Sequence, residues 1–173
     1  MKKVLFILLL AILPFFAGAQ DFIDNLFSKY AGKENFTSIV ISKDLLDFAF
    51  SFDKQDSGIE QLKGKISDLK ILISNGPKSD ISDGFTTEIM TNINKNSYLS
   101  LMEILDGKEK VNFYIKKEND KIVHLLLIAF EENEKVILSL KGKFTMKDLA
   151  EIGKDSHDGS LHQLSHLKNI DKK

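Results

Sequence analysis

Three of the four histidines lie close together in the C-terminal tail, residues 154–173. If this tail is helical, His162 and His166 lie four residues apart on one helix face, the spacing at which two imidazoles reach one metal ion. His157 adds a third imidazole a few residues upstream. These three histidines are therefore the candidate metal ligands of the chain.

The same tail has a second interpretation, because apolar residues recur in it every three positions. In this interpretation the apolar residues form a stripe that docks on the domain, or the tail is a frayed end, and the histidines face solvent. No glutamate follows His162, so the zinc-protease pattern HExxH is not met. We therefore predict no metal and no cofactor, and the apolar residues of the second interpretation are Leu161, Leu164, Leu167 and Ile170.

The remaining residues of catalytic types lack the spacing that catalysis needs. His124 lies within the apolar run Ile122–Phe130, where a buried imidazole with a hydrogen-bond partner is expected rather than a general base. The chain has no cysteine and no G-x-S-x-G turn around a serine. Asp80 and Asp83 suggest a calcium loop, but Thr91 stands where an EF-hand requires glutamate. We predict no catalytic residues and a protein that is not an enzyme.

The charged residues argue against nucleic acid as a partner. All 24 basic residues are lysine, and they face 25 acidic residues. Without arginine the chain lacks the planar side chain that binds phosphate or guanine through two hydrogen bonds. A slightly acidic protein also gains nothing from the electrostatic attraction that supplies most non-specific nucleic-acid binding.

The N-terminus has the pattern of a secretory signal peptide. Two lysines precede the apolar run Val4–Phe16, and Ala17-Gly18-Ala19 provides small residues for cleavage. We predict that residues 1–19 are removed between Ala19 and Gln20 and that the product is periplasmic or extracellular. Because no cysteine follows the apolar run, we expect a soluble product without a lipid or other stable membrane anchor.

The first half of the expected domain alternates helices and strands. Apolar residues at helical spacing predict a helix over Phe22–Tyr30 with Asp21 as its N-cap. The β-branched residues of Phe36–Ile41 predict a strand buried on both faces, and Ser42 caps the helix that follows. A strand is expected near Leu69–Ser74. A further helix carries an apolar residue at every fourth position: Ile81, Phe85, Ile89 and Ile93.

The second half contains four strand-like runs joined by short polar segments, which is typical of an antiparallel meander. A helix capped by Thr145 follows them. The pattern predicts an α+β fold, with an antiparallel or mixed sheet of about six strands, a C-terminal four-stranded meander, and three to four helices packed mainly on one face. We expect one domain over residues 20–153 and a polar tail over 154–173. The four runs are YLSLMEIL, VNFYIKK, KIVHLLLIAF and KVILSLKGKF.

Two segments, FTSIVISKDLLDFAF and VILSLKGKFTMKDLAEIG, resemble a family of short exported Bacteroidota proteins known as domain of unknown function 4252. The resemblance covers nearly the whole expected mature chain, including YLSLMEILDGKEKVNFYIKK. It implies an α+β domain in the bacterial envelope with no assigned activity and no functional residues to transfer. Many relatives look like lipoproteins, and this chain departs from them because it lacks the cysteine.

These observations favour an exported, non-enzymatic envelope protein that binds an envelope or periplasmic protein partner or has a regulatory role. The alternative is a periplasmic module that binds a small or apolar ligand between its helices and its sheet. Thirteen phenylalanines without tryptophan fit a protein interior better than a carbohydrate-binding platform, where exposed tryptophan and tyrosine would be expected to stack on a sugar. The apolar stretch that includes Phe36–Ile41 is expected to be scaffold rather than site.

Overall fold

The computed structural model describes residues 21–52, 62–75, 80–131 and 133–155, and the predicted signal peptide and residues 156–173 of the predicted C-terminal tail lie outside them. The described part of the chain contains four helices and six strands. In chain order they are α1 (Phe22–Tyr30), β1 (Phe36–Ser42), α2 (Lys43–Phe52), β2 (Ile66–Asn75), α3 (Asp80–Lys95), β3 (Leu99–Asp106), β4 (Glu109–Glu118), β5 (Lys121–Phe130), β6 (Glu134–Phe144) and α4 (Met146–Asp155).

The six strands form a single sheet in the order β1-β2-β6-β5-β4-β3. All five strand pairings are antiparallel, so the sheet is antiparallel rather than mixed. Strands β3, β4 and β5 each pair with the next strand along the chain. Strands β5 and β6 occupy the centre, whereas β1 and β3 form the two edges. The predicted α+β class is confirmed.

Helices cover both faces of the sheet. Neighbouring residues on β4 belong to two separate cores, because side chains alternate between the faces of a strand. Tyr114 contacts the core beneath α1 and α3, on what we call face 1. Phe113 and Ile115 contact the core beneath α2 and α4, on face 2. The expectation that the helices pack mainly on one face is therefore wrong.

Helix α1 forms as its sequence predicts. The Asp21 side chain accepts a hydrogen bond from the backbone N–H of Ile23 at 3.0 Å, which caps the first turn. The five apolar residues at helical spacing are all buried on face 1, and the helix is followed by Gly32 at φ +78°. These buried residues are Phe22, Ile23, Leu26, Phe27 and Tyr30.

Strand β1 is an edge strand and is largely exposed, contrary to the prediction that both of its faces are buried. Only Phe36 and Ile41 are partly buried among its seven residues. The predicted change from strand to helix at Ser42 is confirmed, since its Oγ accepts a hydrogen bond from the N–H of Leu45 at 3.4 Å. Leu46 is the residue of α2 that joins the buried core on face 2.

The end of β6 makes a close backbone contact with the start of β2. The N–H of Lys143 donates to the carbonyl of Lys65 at 2.8 Å, and a Cβ on Gly142 would lie 2.3 Å from that same oxygen. Helix α4 then begins with a reciprocal cap in which Thr145 Oγ1 accepts from the N–H of Asp148 at 3.2 Å. The close approach of β6 to the Lys65 carbonyl needs glycine at position 142, since a side chain has no space there. None of the described helices is long and apolar enough to cross a membrane.

Candidate functional site

The three predicted metal-ligand candidates, His157, His162 and His166, lie outside the residues that the structure describes. Within the described ranges, no group of three or more histidine, cysteine, aspartate or glutamate residues is arranged to hold a metal ion. The described polar clusters and exposed surfaces are the remaining candidate sites.

His124 is buried on face 1, at the centre of a hydrogen-bonded network. Its Nδ1 lies 2.5 Å from the Tyr98 hydroxyl, and its Nε2 lies 2.7 Å from Ser139 Oγ. Asp21 Oδ2 lies 3.4 Å from the same Nδ1. Both ring nitrogens therefore have partners, as a buried imidazole requires.

Asp21, His124 and Ser139 are the three residue types of a serine hydrolase, in the same order of contact. However, the Ser139 side chain is completely buried, with an exposed fraction of 0%. A nucleophile must reach the carbonyl carbon of a substrate, and this hydroxyl is enclosed by the layer of helices on face 1. We interpret the cluster as a structural network that satisfies buried polar groups.

Two carboxylates of α1 and its cap bind lysines on the sheet beneath. Asp24 accepts hydrogen bonds from Lys70 Nζ at 2.5 Å and from Lys141 Nζ at 3.1 Å. Asp21 lies 3.3 Å from Lys141 Nζ. Lys70 Nζ also lies 5.8 Å from the centre of the Phe27 ring. These contacts fix the direction of α1 across β2 and β6.

The charges of this cluster shift its acid–base equilibria. Burial by itself raises the pKa of Asp24, but hydrogen bonds and positive charge from Lys70 and Lys141 outweigh it and leave that pKa below its usual value. The pKa of Asp21 is lowered too, since contacts with His124, the Ile23 N–H and Lys141 outweigh its burial. Burial and the neighbouring aspartates raise the pKa of Tyr98, so its phenol stays protonated.

Exposed apolar side chains lie on β1 and α2, at one edge of the molecule, with Ile39 on the same face of the sheet as α2 and Val40 on the other face. We call this region the β1/α2 surface and define it by four side chains with large exposed fractions. They are Ile39 (40%), Val40 (61%), Leu45 (53%) and Phe48 (60%). Exposed apolar side chains are common singly, but a group of adjacent ones is typical of an interaction site.

Polar contacts on the inner side of α2 determine which way this surface faces. Asp47 Oδ1 accepts from the N–H of Gly64 at 3.2 Å, and Lys63 Nζ donates to Ser51 Oγ at 3.2 Å. Both contacts attach α2 to the segment that leads into β2. On a helical wheel Leu45 lies on the side of α2 away from Asp47 and Ser51, and it is 53% exposed.

The backbone of β1 adds to the same edge hydrogen-bonding groups that no other described strand pairs with. The N–H of Asn75 donates to the carbonyl of Asn35 at 2.7 Å, and the register continues without a shift through the strand. In an antiparallel pair, alternate residues bond the neighbouring strand. Odd-numbered residues of β1 therefore bond β2. Even-numbered residues, among them Ser38 and Val40, direct their N–H and C=O groups away from the sheet.

The opposite edge differs from β1 in ways that discourage strand pairing. Strand β3 has a register shift between Ser100 and Met102, and it carries Glu103 and Asp106. Bulges and charges are the usual means by which edge strands avoid association. Strand β1 has no charged residue, no proline and no register shift.

An open cavity of about 430 Å³ lies between the end of α1, the start of β1 and α3. Its aromatic wall packs against Phe85, whose ring centre lies 4.9 Å from that of Tyr30. Two lysines flank the Tyr30 ring, at 5.1 Å and 5.0 Å from its centre. The lining residues are Lys29, Tyr30, Lys33, Glu34, Phe36 and Gly84.

The sequence interpretation singled out His124 and correctly predicted that it is buried with hydrogen-bond partners. It missed the β1/α2 surface, because it assigned those residues to the core. The absence of charge between Phe36 and Ser42 was visible in the sequence, but an uncharged strand looks the same at the centre of a sheet and at its edge.

Comparison with known proteins gives one match. The family model described as Domain of unknown function (DUF4252) matches residues 30–152, which span the chain from the end of α1 into α4. No curated protein and no solved structure matches the chain.

Proposed function

The chain belongs to the family described as Domain of unknown function (DUF4252), and within that family we propose that it is an exported, non-enzymatic protein-interaction module of the bacterial envelope. The observation that carries the proposal is the β1/α2 surface. Its four apolar side chains are exposed next to a strand edge whose outward backbone groups pair with no strand in the described ranges. A protein partner is the class of ligand that uses both features together.

The magnitude of apolar exposure supports a binding role. Full burial of a valine, leucine, isoleucine or phenylalanine side chain contributes about 1.5–3 kcal/mol. Since the four residues are between 40% and 61% exposed, covering them contributes on the order of 1 kcal/mol each. The sum over the four side chains, on the order of 4 kcal/mol, is substantial beside a typical domain stability of roughly 5–15 kcal/mol.

The absence of enzymatic activity is proposed from the burial of the only acid–imidazole–hydroxyl set among the described residues. Ser139 and His124 are inaccessible to a substrate, and each has a polar partner inside the fold.

Export is proposed from the signal-peptide pattern of residues 1–19. Its check is the intact mass of the exported protein, which should begin at Gln20.

Photo-crosslinking in producing cells tests the binding role. A benzophenone amino acid replaces Phe48 in one variant and Leu105 on β3 in the control, because Leu105 is also strongly exposed, at 68%. We expect a discrete protein adduct from position 48 that is absent from position 105. Identical adduct patterns, or no adduct at position 48, would contradict the proposal.

The cavity beside Tyr30 supports a second candidate, the binding of a small aromatic anion. Its rings offer stacking surfaces, and Lys33 offers positive charge beside the Tyr30 ring, whereas Lys29 is paired with Glu88 at 2.6 Å. The fluorescence of 8-anilinonaphthalene-1-sulfonate, an aromatic sulfonate, should rise with the native protein and rise less with Lys33→Glu. Equal fluorescence with both proteins would exclude Lys33 from such a site.

A further inference from the structure

We infer that the β1 edge pairs with β1 of a second copy of this chain, so that two six-stranded sheets join into one antiparallel sheet about a two-fold axis through Ile39. This inference rests on the proposed binding role of the β1/α2 surface and names its partner. It assigns the exposed edge to a specific contact between identical strands.

The direction of the backbone groups supplies the hydrogen bonds for this contact. Ser38 and Val40 lie on either side of Ile39 and point their N–H and C=O groups outward. In an antiparallel pair centred on Ile39, Ser38 of one copy lies opposite Val40 of the other. Each of the two such pairs forms two N–H···O=C bonds, as in any hydrogen-bonded pair of antiparallel strands.

Two-fold symmetry restricts the registers in which two copies of β1 can pair. Directly opposite residues of an antiparallel pair lie on the same face, so a symmetric contact joins residues of the same parity. The pairing centred on Ile39 is the one that overlaps all seven residues of the strand, from Phe36 opposite Ser42 to Ser42 opposite Phe36. Other symmetric registers shorten the ladder.

The side chains are compatible with a second copy of the same surface. No charge lies between Phe36 and Ser42, so self-pairing brings no like charges together within the ladder. The residues that flank the strand carry both signs on each side, with Lys33 and Glu34 before it and Lys43 and Asp44 after it. Antiparallel pairing places the start of one strand near the end of the other, so the two ends that meet carry no net charge, although Glu34 of one copy lies opposite Asp44 of the other in this register.

The apolar side chains of the surface are also brought together by this symmetry. Ile39 of each copy faces its counterpart on face 2, on the side of the sheet where α2 lies. The pairing thus covers the strand edge and places the two exposed Ile39 side chains against each other in a single contact.

The size of the contact predicts a weak dimer. Seven residues of strand span about 24 Å, and the sheet with α2 above it is about 15–20 Å high, which gives roughly 400–500 Å² for each copy. Stable interfaces bury about 800 Å² on each partner, so we expect a dissociation constant in the micromolar range or above. Measurements must therefore extend to concentrations of several hundred micromolar.

The absence of cysteine from the chain makes disulfide trapping a sharp test. In the proposed pairing, Ile39 lies opposite Ile39 at a non-hydrogen-bonded position, where Cα atoms are about 4.5 Å apart. That distance permits a disulfide. Protein produced from the full coding sequence as Ile39→Cys should convert mostly to a covalent dimer under mild oxidation, as seen on a non-reducing gel.

Val40→Cys is the matched control, since it is adjacent and more exposed than Ile39. In the proposed register the two Val40 Cα atoms are about 8–9 Å apart, beyond the reach of a disulfide. We expect at least tenfold less covalent dimer from Val40→Cys than from Ile39→Cys. A circular dichroism spectrum of each reduced variant verifies that the fold is retained.

Sedimentation equilibrium provides an independent measurement without new cysteines. The unmodified protein should show reversible dimerisation, Val40→Lys should weaken it at least tenfold, and Leu105→Lys should leave it unchanged. Failure of Ile39→Cys to crosslink, equal or greater crosslinking by Val40→Cys, or a monomer at all concentrations would each overturn the inference. If self-association fails but photo-crosslinking at position 48 captures a different protein, the proposed binding role stands without the dimer. If neither self-association nor an adduct at position 48 is found, both proposals fail.

Discussion

Replacement of Ser139 by alanine separates a structural role of the buried network from a catalytic one. The hydroxyl is fully buried and lies 2.7 Å from His124 Nε2. Alanine removes this partner and leaves a buried imidazole nitrogen unsatisfied. Such a loss costs about 1–3 kcal/mol of unfolding free energy.

The expected change is large enough to measure by thermal or urea unfolding. For a domain of this size, each kcal/mol lowers the midpoint temperature Tm by about 3–4 °C, so Ser139→Ala should lower Tm by about 3–12 °C. Ser100→Ala serves as the control because Ser100 lies exposed on β3. Its unfolding free energy should change by less than about 0.5 kcal/mol.

Combining Ser139→Ala with Tyr98→Phe tests whether the two hydroxyls act through the same ring. Tyr98 Oη lies 2.5 Å from the other nitrogen of His124, so the two partners share one imidazole. The double variant should differ from the sum of the single variants by about 0.5 kcal/mol or more. A stable Ser139→Ala variant that loses a hydrolytic activity present in the unmodified protein would refute the structural interpretation.

Three further predictions concern close packing and acid–base behaviour. Gly142→Ala should cost about 2 kcal/mol or more of unfolding free energy, because the new Cβ would lie 2.3 Å from the carbonyl oxygen of Lys65; an unchanged denaturation curve would contradict this. Gly84→Ala should stabilise the protein by about 0.5–1 kcal/mol, since Gly84 lies within α3 and has no atom within 4 Å of the added methyl; a lower Tm would disprove it. The pKa of Asp24 is lowered in the folded protein, so its contribution is present above the unfolded pKa of about 3.9 and is lost as pH falls below it. Asp24→Asn should therefore reduce stability at pH 7 and reduce it less at pH 2.5, as followed by urea unfolding, and an equal loss at both values would count against the ion pairs.

Local elements of the fold were predictable because their signals are local. The apolar spacing of Phe22 to Tyr30 and the Asp21 cap define α1 within ten residues. The strand-to-helix change at Ser42 has the same local character. The position of β2 between β1 and β6 depends instead on pairings between distant parts of the chain, which no local pattern specifies.

The coverage of both faces was missed for a definite physical reason. Polar residues alternate with apolar ones on the inner strands, and this alternation usually marks a solvated face. Here His124 and Ser139 bond each other beneath α1, and Lys141 binds the two aspartates at the start of that helix. The sequence shows the polar residues, but not the helix that supplies their partners.

The interpretation of β1 reverses for a related reason. Strands buried on both faces and strands that associate edge to edge need the same residues, namely uncharged, β-branched and aromatic ones. What distinguishes them is the neighbour on the second side, and the described fold provides β1 with β2 alone. Since β3 carries the charges and the register shift that oppose association and β1 carries neither, the composition of β1 is best explained by a second strand that covers it.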